Sequence, residues 1–271
     1  MTRDELIAEI FQKRSCLSIG LDTDIEKIPS FLREEYEDPV FEFNRRVIDA
    51  TRDLCVSYKI NTAFYESMGP SGWVSLQKTR KYIPENILTI ADAKRGDIGN
   101  TSKMYARTFF RTYAFDAVTV APYMGEDSVV PFLEFEGKWV ILLGLTSNKG
   151  SADFQNFKNA SGKRLYEEVI DTARRWATPE QLMYVVGATH PDRLREIRQR
   201  IPNHFLLIPG VGAQGGSIAD VMEAAHIPGD CGLLINSSRG IIYAGQGRDF
   251  IDGVREAART NQRMMEPYLK K

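Results

Sequence analysis

Charged side chains at the end of one apolar segment could form a reaction centre. The segment ILTIADAKRGDIGNTS starts with an apolar run and continues into Asp92, Lys94 and Asp97. Because they stand two residues apart on an extended chain, Asp92 and Lys94 point to the same side. Gly96 allows the chain to turn before Asp97, so the spacing predicts a carboxylate, an ammonium group and a second carboxylate packed close together. The ordinary alternative is a solvated turn with surface ion pairs.

Two earlier apolar segments also end in charged residues. The run 17–21 leads into Asp22, and the run 55–60 contains Lys59 and is followed by Asn61. Each charge has an ordinary explanation, since a lysine can extend from a strand end to solvent and an aspartate can cap a helix. Buried charges persist mainly when they are paired or functional. Three successive segments that end in this way therefore favour a functional site.

Two later segments carry residues suited to binding a phosphate. Residues 209–216 read PGVGAQGG and precede a helical stretch, and residues 236–240 read NSSRG. Glycines let backbone N–H groups approach an anion, and helix N-termini favour its charge. Arg239 could bind a phosphate through two parallel hydrogen bonds. Glycine-rich loops can also be simple tight turns, but the position of both loops late in the chain favours phosphate binding.

The elements that must position these residues form a repeated alternation. Helical stretches separate most of a series of short apolar runs, which lie at 17–21, 55–60, 87–91, 117–120, 139–145, 183–187, 205–209 and 232–235. Continuous apolar runs suit parallel strands buried on both faces. Eight of them predict one α/β domain over residues 1–271, a (β/α)8 TIM barrel with catalytic residues at the C-terminal ends of its strands. A doubly wound open sheet is the alternative, which the lack of GxGxxG after the first run weakens.

Composition excludes several classes of protein. The 271 residues carry a formal net charge of −1, which argues against a nucleic-acid or acidic-membrane binder. The start, MTRDELIAEIFQKR, has no apolar core of a secretory signal, and no stretch approaches the length of a membrane span. Three widely spaced cysteines in apolar surroundings predict buried thiols, with no disulfide framework or zinc site, and fit a reducing cytoplasm.

Metal-dependent and serine-hydrolase chemistry have little support in the sequence. His190, His204 and His226 are scattered without ligand spacing, and His190 and His204 lie in polar stretches that predict surface positions. No GxSxG motif occurs. The residues alone therefore predict a barrel enzyme that acts on a phosphorylated small molecule through a lysine and aspartate cluster.

The motifs together resemble those of the orotidine 5′-phosphate decarboxylases. DAKRGDIGNT is similar to the DxKxxD signature of that family, in the form found in its longer, mycobacterial-like bacterial group. The stretches GLDTD, FNRRVIDAT, YKINTAFYE, LTSN, PGVGAQGG and NSSRGI occur in the expected order and extend the resemblance over nearly the whole chain. One departure is Thr23, which stands where the family's first motif often has proline.

The resemblance implies a role for each matching residue. Lys59, Asp92, Lys94 and Asp97 would form an alternating charge array, and Asp97 would reach the partner's site in a homodimer with two shared sites. The implied substrate contacts are Ile98 and Thr101 beside Asp97, Asp22 and Asn61 at the ribose, Thr146 and Ser147 at the pyrimidine, Pro209 beside the base, and Gln214 and Arg239 at the phosphate.

The reaction that the resemblance implies is the last step of de novo UMP biosynthesis. CO2 would leave C6 of orotidine 5′-monophosphate, and Lys94 would stabilise the carbanion and then protonate it. Asp92 would stand beside the departing carboxylate. Binding of the remote phosphate would drive loop closure. No metal, flavin or pyridoxal cofactor is implied, and neither is a nucleic-acid or membrane partner.

Two rival functions differ in specific features. Mg²⁺-dependent sugar-phosphate decarboxylases or synthases of the same superfamily share DxKxxD but carry an additional acidic residue near its start, where this chain has Thr89 and Ile90. A non-catalytic phosphate-binding protein on a barrel scaffold is the other rival. The lysine and aspartate set argues against it, because a binder gains little from two carboxylates beside an anionic ligand.

Overall fold

A closed parallel barrel forms the centre of the molecule. The computed structural model describes residues 1–188, 191–211 and 216–270, and in them eight strands pair in sequence order, with the eighth closing on the first. The (β/α)8 barrel is therefore confirmed. The strands are β1 Leu17–Gly20, β2 Ser57–Asn61, β3 Leu88–Arg95, β4 Ala117–Val120, β5 Trp139–Leu145, β6 Leu182–Val186, β7 Leu206–Ile208 and β8 Leu233–Ser237.

Helices surround the barrel and follow the strands along the chain. They are α1 Arg3–Lys13, α2 Ser30–Glu35, α3 Pro39–Thr51, α4 Thr62–Glu66, α5 Pro70–Tyr82, α6 Gly99–Arg107, α7 Glu126–Leu133, α8 Ser151–Phe154, α9 Leu165–Ala173, α10 Pro191–Arg200, α11 Ile218–Ala225, α12 Arg239–Ile242 and α13 Phe250–Met265. A π-helical turn, Thr108–Thr112, continues α6, and a 3₁₀ turn, Glu266–Tyr268, continues α13. None of the helices in the described part of the chain has the length and apolar character that crossing a bilayer requires.

The apolar runs became strands because both of their faces are covered. Every residue of β1, β4, β6, β7 and β8 is buried. Helix α3 shows how the outer layer is fixed: the Asp38 carboxylate accepts a hydrogen bond from the N–H of Phe41 at 3.0 Å, and Pro39 occupies the first turn. Its buried face contributes Val40 and Phe43 to the core. Strand β3 continues to Arg95, four residues beyond the predicted run, and this extension carries Asp92 and Lys94.

The cysteines are buried as predicted, but one histidine is not where its sequence context indicates. Cys16, Cys55 and Cys231 are free thiols in the core. The predicted surface position of His204 is wrong, because the ring lies directly before β7 and is turned inward against Tyr184, with 5.4 Å between ring centroids. Only 7% of His204 is exposed, and neither ring nitrogen has a hydrogen-bond partner among the described residues. His190 lies outside the described residues.

The buried imidazole of His204 predicts a loss of stability in acid. Burial, with the nearby charges of Arg198 and Arg3, lowers the pKa of His204 to about 4. In the unfolded chain the pKa is about 6.5, so the unfolded state takes up a proton first as the pH falls. We expect His204 alone to lower the free energy of unfolding by about 2 kcal/mol between pH 7 and pH 5.

Urea denaturation of the wild type and of His204→Phe at both pH values measures this contribution. Phenylalanine keeps a ring against Tyr184 but cannot be protonated, so the variant should lose less stability over the same interval. An identical loss in both proteins would rule out His204 as the source.

Candidate active site

A cavity at the C-terminal ends of the strands gathers most of the predicted site residues. Its volume is about 410 Å³. The predicted residues that line it are Asp22, Lys59, Asn61, Asp92, Lys94, Thr146, Ser147, Pro209 and Arg239. They lie in or shortly after six different strands, and parallel strands of a closed barrel bring their C-terminal ends to one rim. Gln214 lies outside the described residues.

At the base of this cavity, an aspartate lies between two lysines. The Lys59 ammonium donates to Oδ2 of Asp92 at 2.8 Å, and the Lys94 ammonium donates to Oδ1 of the same carboxylate at 2.6 Å. Lys59 also contacts Oδ1 of Asp22 at 3.4 Å. Asp92 and Lys59 are buried, whereas half of the Lys94 side chain is exposed. Both lysines line the cavity, and Lys94 is the more accessible of the two to an entering ligand.

Mutual attraction keeps the buried members of the array charged. Burial would by itself raise the pKa of the Asp92 carboxyl, but the charges of Lys59 and Lys94 outweigh it and hold that pKa well below its usual range. Burial would likewise lower the pKa of Lys59, yet Asp92 and Asp22 raise it to about 12. At neutral pH the array is thus a fixed alternation of charges.

The proximity of Asp92 and Lys94 was predicted, but the backbone that produces it was not. The pairing of β3 with β4 slips between Ala91 and Arg95, so the chain bulges over these residues. Lys94 has a φ of 45°, in the left-handed region that side chains other than glycine rarely adopt. Bulges of this kind redirect side chains beside active sites. The bulge, together with the simple two-residue spacing, aims Lys94 into the cavity.

A buried polar network holds the segment that carries Asp22. Thr23, the departure from the family motif, is buried and donates from its hydroxyl to Oδ1 of Asn44 at 2.6 Å. The amide of Asn44 donates to the Tyr65 hydroxyl at 2.8 Å, and this hydroxyl donates to the Leu21 carbonyl at 3.0 Å. The threonine therefore has a structural partner that proline could not supply, and Asp22 keeps its place at the cavity.

A glutamine fixes the loop after β5. Oε1 of Gln155 accepts from the backbone N–H of Thr146, and its Nε2 donates to the Thr146 hydroxyl, both at 2.8 Å. The Thr146 hydroxyl donates to Asn148 at 2.5 Å. Asn148 also lines the cavity, although the sequence reasoning did not select it. Asn148 is the last residue of the LTSN motif, and this position could have indicated its place at the cavity.

The end of β8 adds further polar groups from the NSSRG segment, of which only Arg239 was given a role from the sequence. Asn236, Ser237 and Ser238 line the cavity directly before Arg239. Oδ1 of Asn236 is buried and has no hydrogen-bond partner among the described residues, so it is available to a ligand. Ser238 packs against Gly20, where an added Cβ would stand 1.8 Å from the serine oxygen. Only glycine fits there, which lets the ends of β1 and β8 approach each other closely.

Asp97, Ile98 and Thr101 do not join the cavity of their own chain. Ile98 is 54% exposed, and the Asp97 carboxylate accepts from the N–H of Ile98 at 2.8 Å. Asp97 and Ile98 lie in the segment directly before α6, and Thr101 lies in the first turn of that helix. Other exposed apolar side chains in neighbouring segments are Met104, Tyr123 and Met124.

The described residues contain no cluster of side chains that could hold a metal ion. Among residues 1–188, 191–211 and 216–270, no group of three or more histidine, cysteine, aspartate or glutamate side chains is arranged to hold a metal ion. The charges of the site come from lysine, arginine and aspartate, which pair with one another or face the cavity.

Fold and site together define a (β/α)8-barrel enzyme that carries a lysine and aspartate array at the mouth of its barrel. The chain belongs to the orotidine 5′-phosphate decarboxylase / HUMPS family, whose model matches residues 16–250. The family assignment made from the motifs is therefore confirmed.

Similar proteins agree over almost the full chain. The orotidine 5′-phosphate decarboxylase of Bacteroides fragilis strain YCH46 is 55% identical over 273 aligned residues, which cover 100% of this chain and 99% of the relative. That of Parabacteroides distasonis is 56% identical over 99% of this chain and 96% of its own. The solved structure of Leishmania donovani OMP decarboxylase superimposes with a TM-score of 0.85 at 34% identity, covering 99% of both chains.

Proposed function

We propose that this enzyme decarboxylates orotidine 5′-monophosphate to uridine 5′-monophosphate. The observation that carries the proposal is the Lys59–Asp92–Lys94 array, which lies in the same cavity as Arg239. Such a cavity offers a fixed charge array for the reacting end of a nucleotide and a guanidinium for its phosphate. The named relatives, at 55% and 56% identity over nearly the whole chain, support the same substrate.

The proposed reaction needs one bond cleavage and one proton transfer. The bond between C6 and the carboxylate carbon breaks, CO2 departs, and the electron pair remains on C6. The ammonium of Lys94, a half-exposed residue that lines the cavity, stabilises this carbanion electrostatically and then donates its proton to C6. A proton from solvent restores the ammonium group.

Asp92 contributes a fixed negative charge next to that ammonium. Because its pKa is held low, Asp92 remains ionised beside the substrate carboxylate and favours departure of that group. Its hydrogen bonds to both lysines also keep the two ammonium groups in place before substrate binds. Preorganised charges of this kind act without reorganisation during the reaction.

Arg239 is proposed to bind the phosphate, together with the loop after β7 that begins at Pro209 and, by its motif, includes Gln214.

Replacing Arg239 with alanine should therefore raise KM by about 100-fold with a smaller change in kcat, because a charge-assisted bidentate contact is lost far from C6. Steady-state kinetics measure the effect, with Arg248→Ala as a control, since Arg248 pairs with Glu35 outside this cavity. An unchanged KM in Arg239→Ala would show that Arg239 does not bind the phosphate.

The functional unit is proposed to be a homodimer with shared sites. Asp97, Ile98 and Thr101 do not line the cavity of their own chain and lie at the start of α6 or directly before it, where a second copy could receive them. The exposed side chains of Ile98, Tyr123 and Met124 supply apolar surface suited to such an interface. Asp97 would extend the alternating charges of the partner's array.

Other parts of the prediction remain proposals. We propose that residues 1–271 form one domain, that the reaction needs no cofactor, and that neither nucleic acid nor a membrane is a partner. The free, buried thiols fit a cytoplasmic location. The DAKRGDIG motif supports membership of the longer, mycobacterial-like bacterial group.

A metal-free turnover assay tests the proposed function. The protein is treated with EDTA and mixed with orotidine 5′-monophosphate, and the loss of the substrate's ultraviolet absorbance is followed. Full conversion to uridine 5′-monophosphate without added metal is the expected result. If no conversion occurs and a sugar phosphate is turned over once Mg²⁺ is restored, the proposal is wrong and the sugar-phosphate rival replaces it.

A further inference from the structure

The bulge in β3 interrupts the hydrogen-bonded pairing of this strand with β4. Ala91 pairs with Val118, and the next paired residues are Arg95 and Val120, so only Thr119 of β4 lies opposite the intervening residues of β3. The backbone N–H of Lys94 thus has no regular strand partner. Leaving such a group unpaired lowers stability when it is shielded from water.

The hydroxyl of Thr119 forms a hydrogen bond with this Lys94 N–H and also contacts the Lys59–Asp92–Lys94 array. Its Oγ1 accepts a hydrogen bond from the Lys94 N–H at 2.9 Å and donates its proton to Oδ1 of Asp92 at 3.1 Å. Thr119 is 1% exposed. The hydroxyl therefore connects the strained backbone of Lys94 with the carboxylate that the Lys94 ammonium contacts.

The direction of these bonds fixes the orientation of the carboxylate. Oδ1 of Asp92 accepts from both Thr119 and the Lys94 ammonium, while Oδ2 accepts from Lys59. Without the threonine hydroxyl, the side-chain hydrogen bonds that orient the carboxylate would come, among the described residues, from the two lysines alone. A displacement of about 1 Å at a reacting group can cost about 100-fold in rate.

We propose that Thr119 is a positioning residue that holds Asp92 and Lys94 in their reactive geometry. The inference rests on the proposed decarboxylation. It assigns no chemical step to Thr119, which acts through its two partners. Its loss should therefore lower kcat while the more distant phosphate contacts keep KM nearly constant.

The chain offers a closely matched control in Thr89 on β3. Its hydroxyl donates to Oδ2 of Asp116 at 2.6 Å and accepts from the Asp116 N–H at 3.1 Å, and the residue is fully buried. Thr89 thus makes the same pair of contacts, to a carboxylate and to a backbone N–H, near the N-terminal end of its strand. Replacing each threonine with valine removes equivalent bonds at opposite ends of the barrel.

The experiment compares steady-state kinetics and thermal unfolding of Thr119→Val, Thr119→Ser and Thr89→Val. We expect Thr119→Val to lower kcat by about 10- to 100-fold with KM changed less than about 3-fold, and Thr119→Ser to retain most of the activity. Thr89→Val should lose thermal stability but keep the wild-type kcat. If Thr119→Val does not fold, Thr119→Ala replaces it in the comparison with Thr119→Ser.

Three results would overturn the inference. They are an unchanged kcat in Thr119→Val, an equal loss of kcat in Thr119→Ser, and an equal loss of kcat in Thr89→Val at temperatures where it is folded. The wild type in the same assay separates this failure from that of the proposed function. An inactive wild type contradicts the decarboxylation itself, whereas an active wild type with an active Thr119→Val contradicts only the positioning role.

Discussion

Replacing Lys94 with alanine is expected to lower turnover of orotidine 5′-monophosphate by about 10⁴-fold or more, because the variant loses the proposed proton donor and, with it, the positive charge proposed to stabilise the carbanion at C6. Binding of uridine 5′-monophosphate should persist, since the proposed phosphate contacts come from other loops. Half of the Lys94 side chain is exposed, so the variant should still fold. Single-turnover kinetics and calorimetric titration with the product measure the two effects separately.

Two further variants sharpen the interpretation of that experiment. Lys103→Ala removes the same charge from α6, where Lys103 pairs with Glu134 on the surface, and it should leave kcat unchanged. Lys94→Arg keeps the charge but replaces a compact ammonium with a guanidinium that does not release its proton. It should bind the product and remain nearly inactive. Near wild-type turnover in Lys94→Ala would show that the proton donor has been assigned wrongly.

The second large effect is expected from mixing two inactive proteins. Asp97→Ala should lose about 100-fold or more in kcat, because in the proposed homodimer the partner's array loses its terminal carboxylate. In a heterodimer of Asp97→Ala with Lys94→Ala, shared sites would bring both substitutions into one cavity. The other cavity would combine an intact Lys94 from one chain with an intact Asp97 from the other. Random pairing should therefore restore about a quarter of the wild-type activity.

A parallel mixture serves as the control for this complementation. Lys94→Ala mixed with Asp92→Asn places a lesion in every cavity, since both residues belong to the array of their own chain. It should remain inactive. Co-expression with two different affinity tags allows each heterodimer to be purified, and light scattering after size exclusion gives its mass. No recovery in the Asp97→Ala mixture, with a dimeric mass, would place Asp97 in its own chain's site or outside catalysis.

Much of the barrel could be predicted because its strands are apolar throughout. The runs 117–120 and 139–145 coincide with β4 and β5, since strands covered on both faces need no alternation of polar residues. The charged residues of DAKRGD could also be recognised from the sequence, because they interrupt such an apolar run. Their grouping with Asp22 and Lys59 followed once the strands were assumed to share one rim.

Contacts between distant segments could not be predicted in the same way. The context of His204 is polar, yet its ring is buried because the turn into β7 directs it toward Tyr184. Thr119 lies in the plain apolar run AVTV, where nothing distinguishes a hydroxyl that supports Asp92 from a buried threonine of no consequence. Asn148 and Asn236 line the cavity only because the ends of β5 and β8 converge there.

Sequence by itself determined the alternation of strands and helices, the family, and most of the charged residues that line the cavity, because each depends on local hydrophobicity or on motifs that local sequence records. Only the tertiary structure decided how β3 bulges against β4, which turns Lys94 into the left-handed region and places Thr119 against Asp92. It also decided that Asp97 lies outside its own cavity. The physical reason is that register and side-chain direction depend on the pairing of strands, which is set by packing between segments far apart in the chain.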